Sequence, residues 1–187
     1  MTAGGGILHI ETPPEEMVVK GGLFHGVQLW VNLPSRDKMI DPRYQNIEAG
    51  HVKLFSSADG ASLFRLIAGR IGSHEGPGST HTPITVAHVS VSAGSRVTVP
   101  WDPAHNALAY VLAGHGSVGT EAVRVTKGQL ALFGSGDTVT FTGAGGDNET
   151  TDSMEILLLG GRPIGRSEEH TSELQSPCNL VCRLLLE

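Results

Sequence analysis

The chain has 187 residues, which is enough for one large domain or two small ones. Its formal net charge is −6, and no basic cluster is visible, which argues against a surface for nucleic acid or anionic membranes. No apolar run reaches the length of a membrane span and no signal peptide is recognisable, so we expect a cytoplasmic protein. Glycine, with 25 residues, is about twice as frequent as usual, and this favours many short strands joined by tight turns.

The first predicted strand is Gly6–Glu11, a largely apolar run that begins at the last of three consecutive glycines and stops at Thr12. Alternate side chains on a strand point to the same face, so His9 and Glu11 are expected on one face and the apolar residues on the other. An imidazole and a carboxylate placed side by side make half of a four-ligand site for zinc or iron. The spacing by itself favours two ordinary polar residues on a solvated strand face, because His-x-Glu is a common pattern.

The second predicted strand is Phe24–Leu33, in which Val27, Leu29 and Val31 alternate with more polar residues. Two further strands are predicted near residues 52–55 and 62–68, separated by a turn. A polar, glycine-rich loop is expected from Gly69 to Thr82.

The segment HGVQLWVNLPSRDKMIDPRYQ, residues 25–45, resembles the pirin family, whose members have two β-barrel domains of the cupin type in tandem. The opening MTAGGGILHIE and the later LLLGGRPIG are similar to the same family, so that the resemblance covers most of residues 1–165. It implies that His9 and Glu11 are the second of the family's two pairs of metal ligands. The first pair, a His-x-His on an earlier strand, is not found in this chain, and we expect the sequence to be truncated at both ends.

The second barrel is expected to be complete, since strands follow one another at the regular spacing of a cupin-type jelly roll. A general cupin would place a His-x-His where Pro100, Trp101 and Asp102 stand, and a later histidine near Val139. We therefore expect this barrel to be structural and free of metal. Its predicted strands are 84–92, 97–100, 107–112, two within 118–125, 129–133, 138–142 and 155–159.

These features predict an all-β fold in three parts. Residues 1–58 would be the C-terminal part of the first pirin cupin domain, and residues 59–165 the second cupin domain. Residues 166–187 change abruptly in composition, and RSEEHTSELQS resembles the translation of a sequencing-adapter oligonucleotide. We expect this tail to be non-native, so that Cys178 and Cys182 are not read as a motif; the alternative is a short amphipathic C-terminal helix.

The family resemblance implies a non-haem iron site made by three His and one Glu. It implies that intact relatives are iron-dependent dioxygenases of the quercetin 2,3-dioxygenase type, in which Glu11 would also be the catalytic base. Because the site is incomplete, we expect this fragment to be inactive. The alternative is a non-enzymatic, iron-binding regulatory protein that acts through protein–protein contacts.

The expected partners are a flavonol-like small molecule or a protein, with no direct contact with nucleic acid or membrane, and the chain is expected to be a monomer. His25 either lines the metal pocket or is a packed, hydrogen-bonded histidine. The other histidines, among them His88 and His105, show no ligand spacing. The glycine-rich Gly114–Gly119 turns between strands with no helix to follow, so nucleotide binding is not expected.

Overall fold

The computed structural model of the chain describes residues 1–10, 13, 15–22, 26–144 and 153–165. The described residues are predominantly β-structure, as predicted. One short helix, α1, spans Glu15–Lys20, and two 3-10 turns span Ser35–Asp37 and Ala49–His51. The strands are β1 (Lys53–Ser56), β2 (Ser62–Ala68), β3 (Arg70–Ile71), β4 (His74–Glu75), β5 (Ile84–Ser92), β6 (Arg96–Pro100), β7 (Asn106–Ala113), β8 (His115–Val118), β9 (Val123–Thr126), β10 (Leu130–Leu132), β11 (Thr138–Gly143) and β12 (Ser153–Gly161).

The strands form two antiparallel sheets and a small hairpin. The larger sheet has the order β1-β2-β5-β12-β7-β10, and the smaller has the order β6-β11-β8-β9, while β3 pairs with β4. One apolar core contains side chains from both sheets, for example Leu66 and Ile156 from the larger and Phe141 from the smaller. This is the two-sheet architecture expected of a jelly roll.

Alternation of side chains explains why these segments become strands. Along β2, buried and partly exposed residues alternate without exception, so that Phe64 and Leu66 enter the core while Arg65 points to the opposite face. Each fully buried side chain of this size contributes about 1.5–3 kcal/mol of transfer free energy. β12 pairs with β5 and β7 along most of its length and is therefore a central strand.

The sequence predicted the strands of this barrel well. The predicted bounds of β2 and β5 agree with the structure to the residue, and the other strands differ by a few residues at their ends. The predicted loop from Gly69 to Thr82 contains the short β3–β4 hairpin, which was not foreseen.

The two strands predicted nearest the start of the chain are wrong over the described residues. Residues 6–10 and 26–33 have no strand, and Leu8 and Ile10, the apolar residues of the first predicted strand, are 101% and 88% exposed. Trp30 is 44% exposed. A strand needs a partner for its backbone N–H and C=O groups and a core for its apolar face, and the described part of this region supplies neither to these segments.

The described residues divide into two compact units, with a boundary between Tyr44 and Gln45. In the unit that contains Met1–Tyr44, a bridge joins Thr2 to Arg43 through two backbone hydrogen bonds of 2.7 and 3.0 Å. Within the described ranges, every buried apolar side chain lies in the other unit, Gln45–Pro163. The domain bounds 58/59 and 165/166 stay a prediction, although β1 lies in the same compact unit as the second barrel.

Candidate functional site

Of the two predicted metal ligands, only His9 lies among the described residues. His9 is exposed and lies in a segment without strand structure, so the expected strand does not hold it in place. Glu11, the other ligand and the predicted catalytic base, lies outside the described residues, and so do His25 and the tail 166–187. Among the residues that the structure does describe, no three His, Cys, Asp or Glu side chains come close enough to share a metal ion.

The second barrel has no histidine at the positions where a general cupin has them, and of the residues named there only Asp102 carries a possible donor group. Pro100 ends β6, and Trp101 is only 8% exposed and joins the core. Val139 on β11 is 2% exposed. The Trp101 and Val139 side chains offer no lone pair to a metal and pack in the core, whereas Pro100 is exposed.

Sequence reasoning missed a polar cluster on the larger sheet. His88 and Ser90 on β5, Glu155 on β12 and Arg65 on β2 all occupy the face turned away from the core. The register places Arg65 opposite His88 and Ser90 opposite Glu155. The available signal was the two polar residues His88 and Ser90, two apart in the otherwise apolar β5, but Arg65 lies 23 residues before His88 and Glu155 lies 65 residues after Ser90.

Hydrogen bonds connect the side chains of this cluster to one another. Glu155 accepts from the hydroxyls of Ser90 and Ser153, each at 2.6 Å, and its carboxylate lies 2.7 Å from Nε2 of His88. Arg65 donates to Ser90 Oγ at 3.2 Å, and its guanidinium lies 3.3 Å from His88 Nδ1. Because the guanidinium can only donate, Nδ1 accepts and the imidazole proton belongs on Nε2, where it points to Glu155.

The surroundings shift both pKa values downward. Burial lowers the pKa of His88, and the positive charge of Arg65 adds to this, while Glu155 opposes it. Burial alone would raise the pKa of Glu155, but the hydrogen bonds from Ser153 and Ser90, with the charges nearby, lower it. A neutral imidazole and an ionised carboxylate are therefore the favoured states at neutral pH.

The cluster is built for stability rather than for proton transfer. Both nitrogens of His88 already have partners, so neither is available to a substrate. Four polar contacts involving Arg65 or Glu155 join β2 to β5 and β5 to β12 on the face opposite the core. None of these residues was predicted as a site residue, and the geometry gives them a structural role.

The comparisons with known proteins place this barrel in a family. The pirin C-terminal cupin domain matches residues 86–170. A Pseudomonas aeruginosa protein named as a candidate quercetin 2,3-dioxygenase is 38% identical over 164 residues, which are 88% of this chain and 54% of that protein. A pirin-like protein of Arabidopsis thaliana is 34% identical, and pirin of Rattus norvegicus 28%, again with 88% of this chain aligned and 53% of each relative.

Structural comparison gives the same result. The solved structure of a quercetin 2,3-dioxygenase from Acinetobacter baumannii superposes with a TM-score of 0.64 at 26% identity, and the alignment covers 72% of this chain and 44% of that one. The chain thus spans about half the length of the curated relatives that it matches. Because residues 86–170 match the pirin C-terminal cupin domain, and pirin or pirin-like proteins of a bacterium (Caulobacter vibrioides), a plant and a mammal align along nearly nine-tenths of the sequence, the chain belongs to the pirin family.

Proposed function

We propose that this chain is part of a metal-dependent dioxygenase system of the quercetin 2,3-dioxygenase type, and that its 187 residues alone are inactive. The observation that carries the proposal is the 38% identity to the Pseudomonas aeruginosa relative over 88% of the chain. The likeness to the structure of the Acinetobacter baumannii quercetin 2,3-dioxygenase supports it. A flavonol-like small molecule is the proposed substrate.

His9 and Glu11 are proposed as two ligands of a non-haem iron, with Glu11 also the proposed base. Such sites normally need three or four protein donors. The described residues do not fit a complete iron site, because they bring no third donor to His9.

Anaerobic titration of the purified chain with Fe(II) tests the ligand count. We expect weak binding without a stoichiometric end point, and a His9→Ala variant should bind equally weakly, since two ligands hold a transition metal poorly. His51→Ala is the matched control, since His51 is an exposed histidine far from the proposed pair in sequence. A tight, stoichiometric site in the unmodified chain that His9→Ala abolishes would contradict the proposed incompleteness.

A chimera tests the activity. The part of the Pseudomonas aeruginosa relative that precedes its matched segment would be fused in front of this chain, loaded with Fe(II) and supplied with quercetin and oxygen. We expect quercetin-dependent oxygen consumption that His9→Ala or Glu11→Gln abolishes and His51→Ala leaves intact. Failure of a folded, iron-loaded chimera to consume oxygen would count against the dioxygenase proposal.

The alternative proposal is an iron-binding regulator that acts through protein–protein contacts. Relatives of similar identity carry the name pirin or pirin-like protein without a stated activity. The chimera separates the two proposals, because a regulator would bind iron without consuming oxygen.

A further inference from the structure

We propose that the free edge of β6 binds an extended peptide in which an acidic residue lies between two apolar residues. The peptide would add to the smaller sheet as a further strand, with its apolar side chains in the groove between β6 and β1. This site goes beyond the proposed function, because it needs neither His9 nor Glu11 nor iron. The residues that line the groove all lie within Gln45–Pro163.

β6 is an edge strand, because the smaller sheet has the order β6-β11-β8-β9. Just beyond its end, the N–H of Trp101 donates to the carbonyl of Asp137 at 2.7 Å, which shows which residues are hydrogen-bonded to β11. Hydrogen-bonded and non-hydrogen-bonded pairs alternate along an antiparallel ladder, so the N–H and C=O groups of Arg96 and Thr98 point out of the sheet. Such a row of backbone groups at an edge is a template for a further strand.

A groove of about 390 Å³ lies beside this edge. It is formed between β6 and the end of β1 with the turn that follows, and Phe55, Val97 and Val99 are among the apolar residues that line it. Phe55 is only partly buried at the border of the core. Side chains of an added strand would alternate between two faces, and every second one would point to the same side as Val97. Burial in the groove favours apolar residues at these positions.

The floor of the groove is ordered without a ligand. The ring of Phe55 stacks on that of Phe64, with centroids 4.8 Å apart and an angle of 2° between the planes. His74, from the β3–β4 hairpin, also stacks on Phe55, at 3.9 Å and 15°. These two contacts fix the orientation of the Phe55 ring, so that a peptide gains its contact without first ordering this side chain.

The charges beside the groove favour an acidic residue between the two apolar ones. The side chain of Arg96 is exposed and has no acceptor in the described part of the chain. Its neighbour on β11 is Thr142, and an added strand would supply the neighbour on its other side. Asp59, which also lines the groove, already accepts from the hydroxyl of Ser57 in the turn after β1. Because opposite charges on neighbouring strands are favourable and like charges are not, a carboxylate is preferred beside Arg96.

A second copy of the chain fits this edge less well. β6 has the sequence Arg-Val-Thr-Val-Pro, so its pairing with the same strand of another copy would place no acidic residue beside Arg96. Pro100 also has no N–H to donate. A peptide that contains a carboxylate is therefore the better partner.

A labelled peptide tests the proposal on the full chain in the presence of EDTA. The capped sequence Ser-Thr-Val-Glu-Val-Thr-Ser has the acidic residue between two valines, and a second peptide has lysine in place of glutamate. Fluorescence anisotropy is expected to show saturable binding of the glutamate peptide and about three- to tenfold weaker binding of the lysine peptide. Equal affinity for the two peptides, or binding of neither, would overturn the proposal.

Arg96→Glu should reverse this preference, because the lysine peptide then supplies the opposite charge. Arg124→Glu is the matched control, since Arg124 is an exposed arginine on β9, at the other edge of the same sheet, and does not line the groove. This control should still prefer the glutamate peptide. Loss of folding cannot produce a reversed preference, whereas an unchanged preference in Arg96→Glu would overturn the proposal.

Thr98→Pro removes the N–H in the middle of the free edge, whereas Thr98→Ala keeps it. We expect the proline variant to bind the glutamate peptide at least about tenfold more weakly than the alanine variant does. Circular dichroism checks that both variants are folded. Equal binding by the two folded variants would show that the groove takes an apolar group without strand pairing, and the proposal would be wrong.

Amide hydrogen exchange gives a readout that needs no variant to fold. The N–H groups of Arg96 and Thr98 should exchange more slowly when the glutamate peptide is bound, while that of Val123, on the edge strand β9, should not change. Unchanged exchange at both β6 residues would contradict the proposal, and so would a dimer that Thr98→Pro dissociates, which would assign the edge to a second copy. The proposed dioxygenase activity is unaffected by these outcomes, because the chimera tests it with iron.

Discussion

At the scale of single residues, His88 differs most between what the sequence predicted for it and the contacts that it makes in the structure. By spacing it matched no motif, but in the folded chain it joins Glu155 at 2.7 Å and lies beside Arg65. Its side chain is 29% exposed and that of Glu155 is 23% exposed, so solvent screens this pair less than it screens a surface ion pair. Stability should therefore depend on its protonation.

The pH dependence of stability follows from the lowered pKa values. The pKa of His88 in the folded chain lies below its ordinary value of 6.5, so the unfolded chain binds the proton more readily. The contribution of neutral His88 to the free energy of unfolding is therefore complete above pH 6.5 and is lost as the pH falls through the folded pKa. The lowered pKa of Glu155 adds a further loss below its ordinary value of 4.5. We expect the free energy of unfolding to fall between pH 7.5 and pH 5 in urea titrations, with His88 contributing at most about 1.4 kcal/mol per pH unit.

His88→Gln removes this titrating group and should flatten the dependence between pH 7.5 and pH 5. His51→Gln, at an exposed histidine in a 3-10 turn, is the control and should retain the slope of the unmodified chain. Equal slopes in all three proteins would show that His88 does not link folding to pH.

At the scale of elements, apolar alternation predicted strands only where a partner strand and a core exist. β5 was predicted to the residue, and it has β2 on one side and β12 on the other. Residues 26–33 show the same alternation but no strand, and Trp30 and Val31 remain more than 40% exposed. Alternation indicates which side chains would share a face, but hydrogen-bonded neighbours decide whether the strand forms.

The end of β12 offers a test of element packing. Gly160 pairs with Thr85 and Ala107, and a methyl group there would overlap the Trp101 ring and the Asn106 carbonyl. We expect Gly160→Ala to lower the free energy of unfolding by about 1–3 kcal/mol, measured in urea.

Gly134→Ala is the matched control for this substitution. No heavy atom lies within 4 Å of a Cβ built at Gly134, and its φ is not in the left-handed region. The stability of the Gly134→Ala variant should therefore equal or slightly exceed that of the unmodified chain. If the two alanine variants were equally stable, the close approach of Trp101 to β12 would not exist in solution.

At the scale of the whole molecule, the two units differ in how much they bury. The unit from Gln45 to Pro163 holds the described core, whereas α1 and the 3-10 turn Ser35–Asp37, which belong to the other unit, contain no buried residue. Segments with little apolar burial open at low free-energy cost. Protease sites in the two units should therefore differ in accessibility.

Limited trypsin digestion is expected to cut first after Lys20, Arg36, Lys38 or Arg43 and to leave a fragment that begins near Gln45. Lys53 should be protected, because it lies in β1 and pairs with Leu66. Mass spectrometry of the early products measures this. An early cut after Lys53 would instead support a second-barrel domain that begins near residue 59, as the sequence predicted.

The sequence by itself determined the barrel strands, the all-β class and the pirin family, because apolar alternation, turn glycines and a specific motif are local properties that the chain carries in order. The tertiary structure alone decided that the edge of β6 borders an apolar groove and that Arg65, His88 and Glu155 form one cluster. It also decided that residues 6–10 do not form a strand to present His9. The physical reason is that strand register, burial and pairing depend on residues distant in sequence, and no local pattern specifies which partners will be there.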